Sequence, residues 1–198
     1  MNLPNKLTLS RAIATPIFMV LLISSAVPYN YTAALVVFIL ASITDLLDGK
    51  IARSYNLITN FGKFLDPVAD KMLTTAALLG LMIEMPTKSL AIQMTIITFI
   101  TLFREFTVSS VRILAMLSEK RRVIAANMWG KLKTVAQMVG IIIAILVYSV
   151  KEFFPDCGIW FDIILITGVV ICWISALFTV ISGLIYLFGN KELIDFSK

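Results

Sequence analysis

The chain is expected to fold as an all-α integral membrane protein, a six-transmembrane-helix bundle with both termini cytoplasmic. Three observations lead there. Of its 198 residues, 59% are hydrophobic, against roughly 45–50% in globular domains. Only 15% are charged, where about 25% is usual. Six stretches approach the roughly 20 mostly apolar residues that cross a bilayer as a helix. This composition excludes a disordered chain and a soluble secreted module. The length fits a single membrane domain over residues 1–198.

The spans follow one another with short gaps. The first is expected from Leu7 to Val27 and the second from Tyr31 to Ala52. The third should run from Phe64 to Met85, and the fourth from Ser89 to Leu117. The fifth covers Ala125 to Val150 and the sixth Ile159 to Phe188. Pro28, Pro86 and Pro155 stand in three of the gaps, where helices stop readily. The first stretch also has features of a cleaved leader: Lys6, Arg11, an apolar core and the small residues Ser24 and Ala26. Five further apolar stretches argue for a retained first span instead. The last span is long: 26 residues from Ile163 to Phe188 carry no charge, about 39 Å of helix. It should tilt in, or project from, a hydrocarbon core of about 30 Å.

Orientation comes from the basic residues. The gaps at 27–31, 85–89 and 150–158 hold only Lys88 and Lys151. The remaining Lys and Arg lie at the termini, near residues 50–71, or between 104 and 133. That bias places both termini on the cytoplasmic side, in the cell membrane. The net charge of +5 is then explained by basic loops, and no nucleic-acid partner is needed. The chain has no histidine, which excludes a Ser-His-Asp triad, a Cys-His dyad and His-ligated metals. Cys157 and Cys172 have no metal-binding spacing.

The informative stretch is DLLDGKIARSYNLITNFGKFLDPVAD, from Asp45 to Asp70. Asp45 and Asp48 are three apart, and Asp66 and Asp70 four apart, so each pair shares a helix face. Carboxylates at the ends of apolar spans are costly and usually functional or paired. Four of them converging from adjacent helices repel unless a multivalent cation holds them. All-carboxylate ligation favours a hard ion, Mg²⁺, Mn²⁺ or Ca²⁺. Four carboxylates suffice for two ions about 3.5–4 Å apart, as in phosphoryl chemistry. Gly49 and Gly62 permit close approach, and Arg53 lies one turn from Asp48, suited to clamping a phosphate. Plainer readings exist. Asp66 before Pro67 fits a helix N-cap followed by an N1 proline. Lys50, Arg53, Lys63 and Lys71 could simply neutralise the aspartates.

The stretch resembles the signature of the CDP-alcohol phosphatidyltransferase family, D-x2-D-G-x2-A-R-x8-G-x3-D-x3-D. Asp45, Asp48, Gly49, Ala52, Arg53, Gly62, Asp66 and Asp70 fill its eight fixed positions. A chance match at one start is on the order of one in ten billion. The resemblance implies transfer of a phosphatidyl group from CDP-diacylglycerol to an alcohol, with release of CMP. It implies two divalent cations, Mg²⁺ or Mn²⁺, on Asp45, Asp48 and Asp66 with a contact from Asp70. It makes Asp70 the general base and lines the CDP-diacylglycerol site with Gly49, Ala52, Arg53 and Gly62. It further implies a homodimer.

A second set of residues bears on the alcohol. The opening carries Thr8 and Arg11; the fourth span carries Arg104-Glu105 and Arg112; Gly130-Lys131-Leu132-Lys133-Thr134 opens the fifth, with Gln137 after it. Basic groups at helix ends suit a second phosphate. These pieces, P-N-x-L-T-x-x-R, R-E and G-K-x-K-T-x-x-Q, resemble the branch of that family whose acceptor is sn-glycerol 3-phosphate. By that resemblance Thr8, Arg11, Arg104, Arg112, Lys131 and Lys133 hold the acceptor phosphate. The plain alternative is a basic fringe that binds anionic lipid, which suits Lys6, Lys120, Arg121 and Arg122. Gly130-Lys131 is not a phosphate loop, since Ala125 and Leu132 break that pattern. Serine or inositol phosphate as acceptor, and a non-enzymatic divalent-cation carrier, are the competing readings. A carrier should place its carboxylates near the bilayer midplane; here they lie at span ends.

Overall fold

The computed structural model describes residues 2–54, 60–117 and 128–189. Side chains are described for these except at 3, 4, 46–54, 60–64, 66, 67, 70 and 115–117. Six helices account for nearly all of it: α1 Leu3–Ile23, α2 Asn30–Ser54, α3 Asn60–Glu84, α4 Lys88–Leu117, α5 Met128–Phe153 and α6 Gly158–Gly189. No strand occurs among the described residues. Four helices are long and apolar enough to cross a membrane, within Asn5–Ile23, Lys88–Leu114, Met128–Phe153 and Gly158–Gly189. The apolar run of α2 is shorter, Asn30–Asp45, because the rest of that helix carries the charged signature. The start of α3 carries the other half of it.

The boundaries differ from expectation in instructive places. Helix α1 begins at Leu3 because Pro4 suits a first turn, and it ends at Ile23, where Ser24 turns extended with ψ 115°. It runs through Pro16; the Thr15 hydroxyl donates to the Arg11 carbonyl at 2.9 Å beside that proline, as bilayer helices tolerate. Helix α3 begins at Asn60, so Asp66 and Pro67 lie inside it. The N-cap reading of Asp66 is therefore wrong: the helix gains its first turn from the residues before the aspartate.

Helix α5 packs along α6, α1 against α2 and α3, α2 against α5, and α4 against α3 and α6. Neighbours alternate in direction, so the start of α1 and the end of α6 share one end of the bundle. The core joins Phe18 and Leu22 of α1, Phe38 of α2, Leu73, Ala77 and Leu81 of α3, Ile141 and Ile145 of α5, and Leu165 of α6. In lipid such contacts act through close packing, because the surroundings are as apolar as the core. Small residues accordingly mark the tightest crossing. A Cβ on Gly140 would stand 3.1 Å from the Gly168 carbonyl oxygen, and one on Gly168 would stand 3.0 Å from the Ala144 nitrogen.

The end away from α1's start is tied by polar groups. Glu152 at the end of α5 accepts from the amides of Tyr31 at 2.8 Å and Thr32 at 3.0 Å. These are first-turn amides of α2, which have no partner within their own helix. The Thr32 hydroxyl adds a third bond at 2.5 Å. The Tyr31 hydroxyl donates to Glu84 Oε2 at 2.5 Å, and the Tyr148 hydroxyl to the Glu84 carbonyl at 2.6 Å. The ends of α2, α3 and α5 are thereby joined.

Gly168→Ala should lower stability by about 1–3 kcal/mol, since two backbones must separate to admit the methyl group. Thermal unfolding in detergent checks this, with Gly189→Ala as control because nothing stands within 4 Å of its added Cβ.

Candidate active site

At the other end the helices part around a cavity of about 630 Å³. Five helices line it: α2 with Asp45; α3 with Lys71, Thr74 and Thr75; α4 with Arg104, Glu105, Ser109 and Arg112; α5 with Lys131, Lys133 and Gln137; and α6 with Ser182 and Tyr186. The helical period explains the choice. On α5, Lys133, Gln137 and Gly140 lie at spacings of four and three and are all buried, while Leu132, just before them, is exposed. On α6, Ser175, Thr179, Ser182 and Tyr186 form the same spacing in an otherwise apolar helix and are also buried.

Two charge clusters organise the cavity. The first joins α1 to α2. Arg11, only 1% exposed, donates through Nη1 to Asp45 Oδ1 in a short ion pair. Thr8 lies one turn earlier on α1 and is likewise buried. The second centres on Glu105. Its Oε1 meets Arg104 Nη1 at 3.0 Å and also takes a short contact from Lys133 Nζ. Its Oε2 stands 3.5 Å from Lys71 Nζ. Arg104 Nη2 donates to Ser182 at 3.1 Å, and Lys71 donates to Ser109 at 2.6 Å. Gly183 leaves room for this arginine, since a Cβ there would stand 3.1 Å from Arg104 Cγ. Gln137 is buried, and its Nε2 has no partner among the described residues. A buried amide donor in a cavity wall is costly unless something accepts from it.

Among the residues singled out from sequence, Asp45, Arg104, Arg112, Lys131 and Lys133 share the one cavity. Thr8 and Arg11 stand behind it, Arg11 directly on Asp45. Asp48, Gly49, Ala52 and Arg53 lie on α2, and Gly62, Asp66 and Asp70 on α3; their side chains are outside the described residues, as are residues 120–122 altogether. Among the described residues no three acidic or thiol side chains form a metal-binding group. Of the four signature aspartates, Asp45 opens on the cavity from α2, and it is the one whose side chain is described. Sequence reasoning passed over Lys71, Glu105, Ser109, Ser182 and Tyr186 as wall residues. The polar stripe of α6 was the signal for the last two. Nothing local marks Ser109. Both cysteines are free thiols, and Cys172 packs at the α5–α6 crossing.

Comparison with known proteins agrees with the signature. The family model described as CDP-alcohol phosphatidyltransferase matches residues 1–181. A Bacillus subtilis (strain 168) protein called CDP-diacylglycerol–glycerol-3-phosphate 3-phosphatidyltransferase is 36% identical over 212 residues, covering 100% of this chain and 99% of its own. A protein of the same name from Rickettsia bellii is 37% identical, covering 96% of each chain. One from Shigella flexneri is 35% identical over 98% of each. With the model spanning most of the chain and relatives aligned nearly end to end, the protein belongs to the CDP-alcohol phosphatidyltransferase family.

Proposed function

We propose that the protein transfers the phosphatidyl group of CDP-diacylglycerol to sn-glycerol 3-phosphate, giving phosphatidylglycerophosphate and CMP. One observation carries the reading: a single cavity joins an aspartate of the signature, Asp45, to a wall of lysines and arginines from α3, α4 and α5. A donor pyrophosphate and a phosphorylated acceptor need those two surfaces side by side. Serine as acceptor leaves the cationic wall without a purpose. The names of the relatives support glycerol 3-phosphate over inositol phosphate.

In this reading Asp45, Asp48, Asp66 and Asp70 would hold Mg²⁺ or Mn²⁺, two ions in all, which would supply positive charge for the pyrophosphate and the departing CMP. Arg11 keeps Asp45 in one place. Gly49, Ala52, Arg53 and Gly62 line the donor site. Lys133, Arg104, Arg112 and Lys131 receive the acceptor phosphate, while Thr8 and Arg11 are buried on α1, Arg11 on Asp45. Asp70 takes the proton from the attacking hydroxyl. An isolated aspartate, with a reference pKa near 3.9, is a weak base for that task, so positioning carries much of the effect.

The bundle is read as six spans of the cell membrane, with the cavity and both termini on the cytoplasmic side. Support comes from charge: Lys71, Arg104, Arg112, Lys131 and Lys133 lie at the cavity end, whereas Lys88 and Lys151 lie at the other. There the acyl chains stay in lipid while the nucleotide stays wet. The family resemblance also favours a homodimer.

Purified protein with CDP-diacylglycerol and Mg²⁺ or Mn²⁺ should release CMP with glycerol 3-phosphate, not with serine or inositol phosphate, and a chelator should abolish it. CMP with another acceptor discards the acceptor assignment. No CMP with any acceptor, from folded metal-bound protein, favours a cation carrier. Asp70→Asn should reduce turnover about 10²–10⁴-fold while CDP-diacylglycerol still binds; normal turnover removes Asp70 as the base. Lys133→Ala should raise the KM for glycerol 3-phosphate well above any change in the KM for CDP-diacylglycerol, and an equal rise in both argues against an acceptor-specific role.

A further inference from the structure

An acidic side chain in the middle of an anion-binding wall calls for an explanation. Glu105 lies in that wall, and only 19% of its side chain is exposed. Its neighbours are cations from three helices: Lys71 of α3, Arg104 of α4 and Lys133 of α5. Lys133 is itself 7% exposed, so little water solvates its ammonium, and a buried ammonium needs counter-charge. Arg104 is held on the other side by Ser182. Lys71 is held by Ser109.

We infer that Glu105 is a positioning residue for acceptor binding: its carboxylate gathers Lys71, Arg104 and Lys133 at one point and keeps them aimed before the acceptor arrives. The inference rests on the proposed reading of the cavity and deepens it. Three cations from three helices stand around this carboxylate, and a phosphate monoester, which carries about −1.5 to −2 at neutral pH, is the kind of ligand such a cluster recognises. Each guanidinium and ammonium has several N–H groups, so one can face Glu105 while others face the ligand. The carboxylate thus organises the site without filling it.

Two physical accounts of Glu105 predict opposite signs. If it were merely a negative charge near an anion site, removing the charge would strengthen phosphate binding. If it positions the cations, removing it weakens binding, because Lys133 loses this counter-ion and Lys71 and Lys133 lose their common anchor. A charged hydrogen bond is worth about 1.5–3 kcal/mol, or about 10- to 100-fold.

The test compares wild type, E105Q and E105D in CMP release. E105Q should raise the KM for glycerol 3-phosphate about 10- to 100-fold, with the KM for CDP-diacylglycerol nearly unchanged. E105D keeps the charge but withdraws it by one methylene, and should give a smaller rise in the same direction. It serves by itself if E105Q does not fold. An unchanged or lowered glycerol 3-phosphate KM in the folded variant overturns the inference, as does an equal rise in both constants. Thermal stabilisation by inorganic phosphate reads the cation cluster without the reaction: wild type should be stabilised and the variant much less so, and equal stabilisation also overturns the inference. Wild type that binds inorganic phosphate but releases no CMP with glycerol 3-phosphate would refute the reading of the reaction and leave the role of Glu105 to the phosphate measurement.

Discussion

An ionised group within a largely apolar helix costs several kcal/mol unless an opposite charge reaches it, and in this bundle those charges come from other helices. Arg11 of α1 finds Asp45 of α2. Lys71 of α3 and Lys133 of α5 find Glu105 of α4. Each pair ties two helices at the cavity end. Compensation of charge and formation of the cavity are therefore linked: the pairs that neutralise these groups draw the helices together around it.

The rest of the bundle keeps that end in register. At the far end Glu152 caps the start of α2, and Glu84 receives the hydroxyls of Tyr31 and Tyr148. From there to Asp45 is about 22 Å along α2 at 1.5 Å per residue. Between the two ends Gly140 and Gly168 let α5 and α6 approach to backbone contact. That approach sets where Lys133 and Gln137 stand relative to Ser182 and Tyr186. Ser175 reinforces it by donating to the Lys133 carbonyl at 3.0 Å. A chain without these ties could hold the same residues on the same helices and still open the cavity more widely.

Much of this was legible in the residue string. The run from Asp45 to Asp70 marked the family because eight positions are fixed by side-chain chemistry at a helical spacing. Arg104 and Lys133 were legible as cavity residues because charge in a span stands out against its surroundings. Glu105 was visible only as the neighbour of Arg104, since a carboxylate beside an arginine reads locally as a simple pair; its lysines arrive from residues 34 before it and 28 after it. Ser182 and Tyr186 were hidden by the hydropathy of α6, whose average masks a one-residue-wide polar stripe. The plainer alternative of Asp66 as a cap could not be dismissed from the residue string, because a proline after an aspartate suits either a first turn or an interior position, and α3 turns out to begin at Asn60.

Composition and spacing by themselves determined that the chain is helical and apolar and which end of each helix bears charge, because these depend on residue type and helical period alone; the aspartate run pointed to the family through its resemblance to a known signature. Tertiary structure alone decided that Arg11 serves Asp45, that Glu105 gathers three cations, and that α5 and α6 meet at two glycines. Those are contacts between helices far apart in the chain, and their existence depends on crossing distances of a few ångströms that no local pattern encodes.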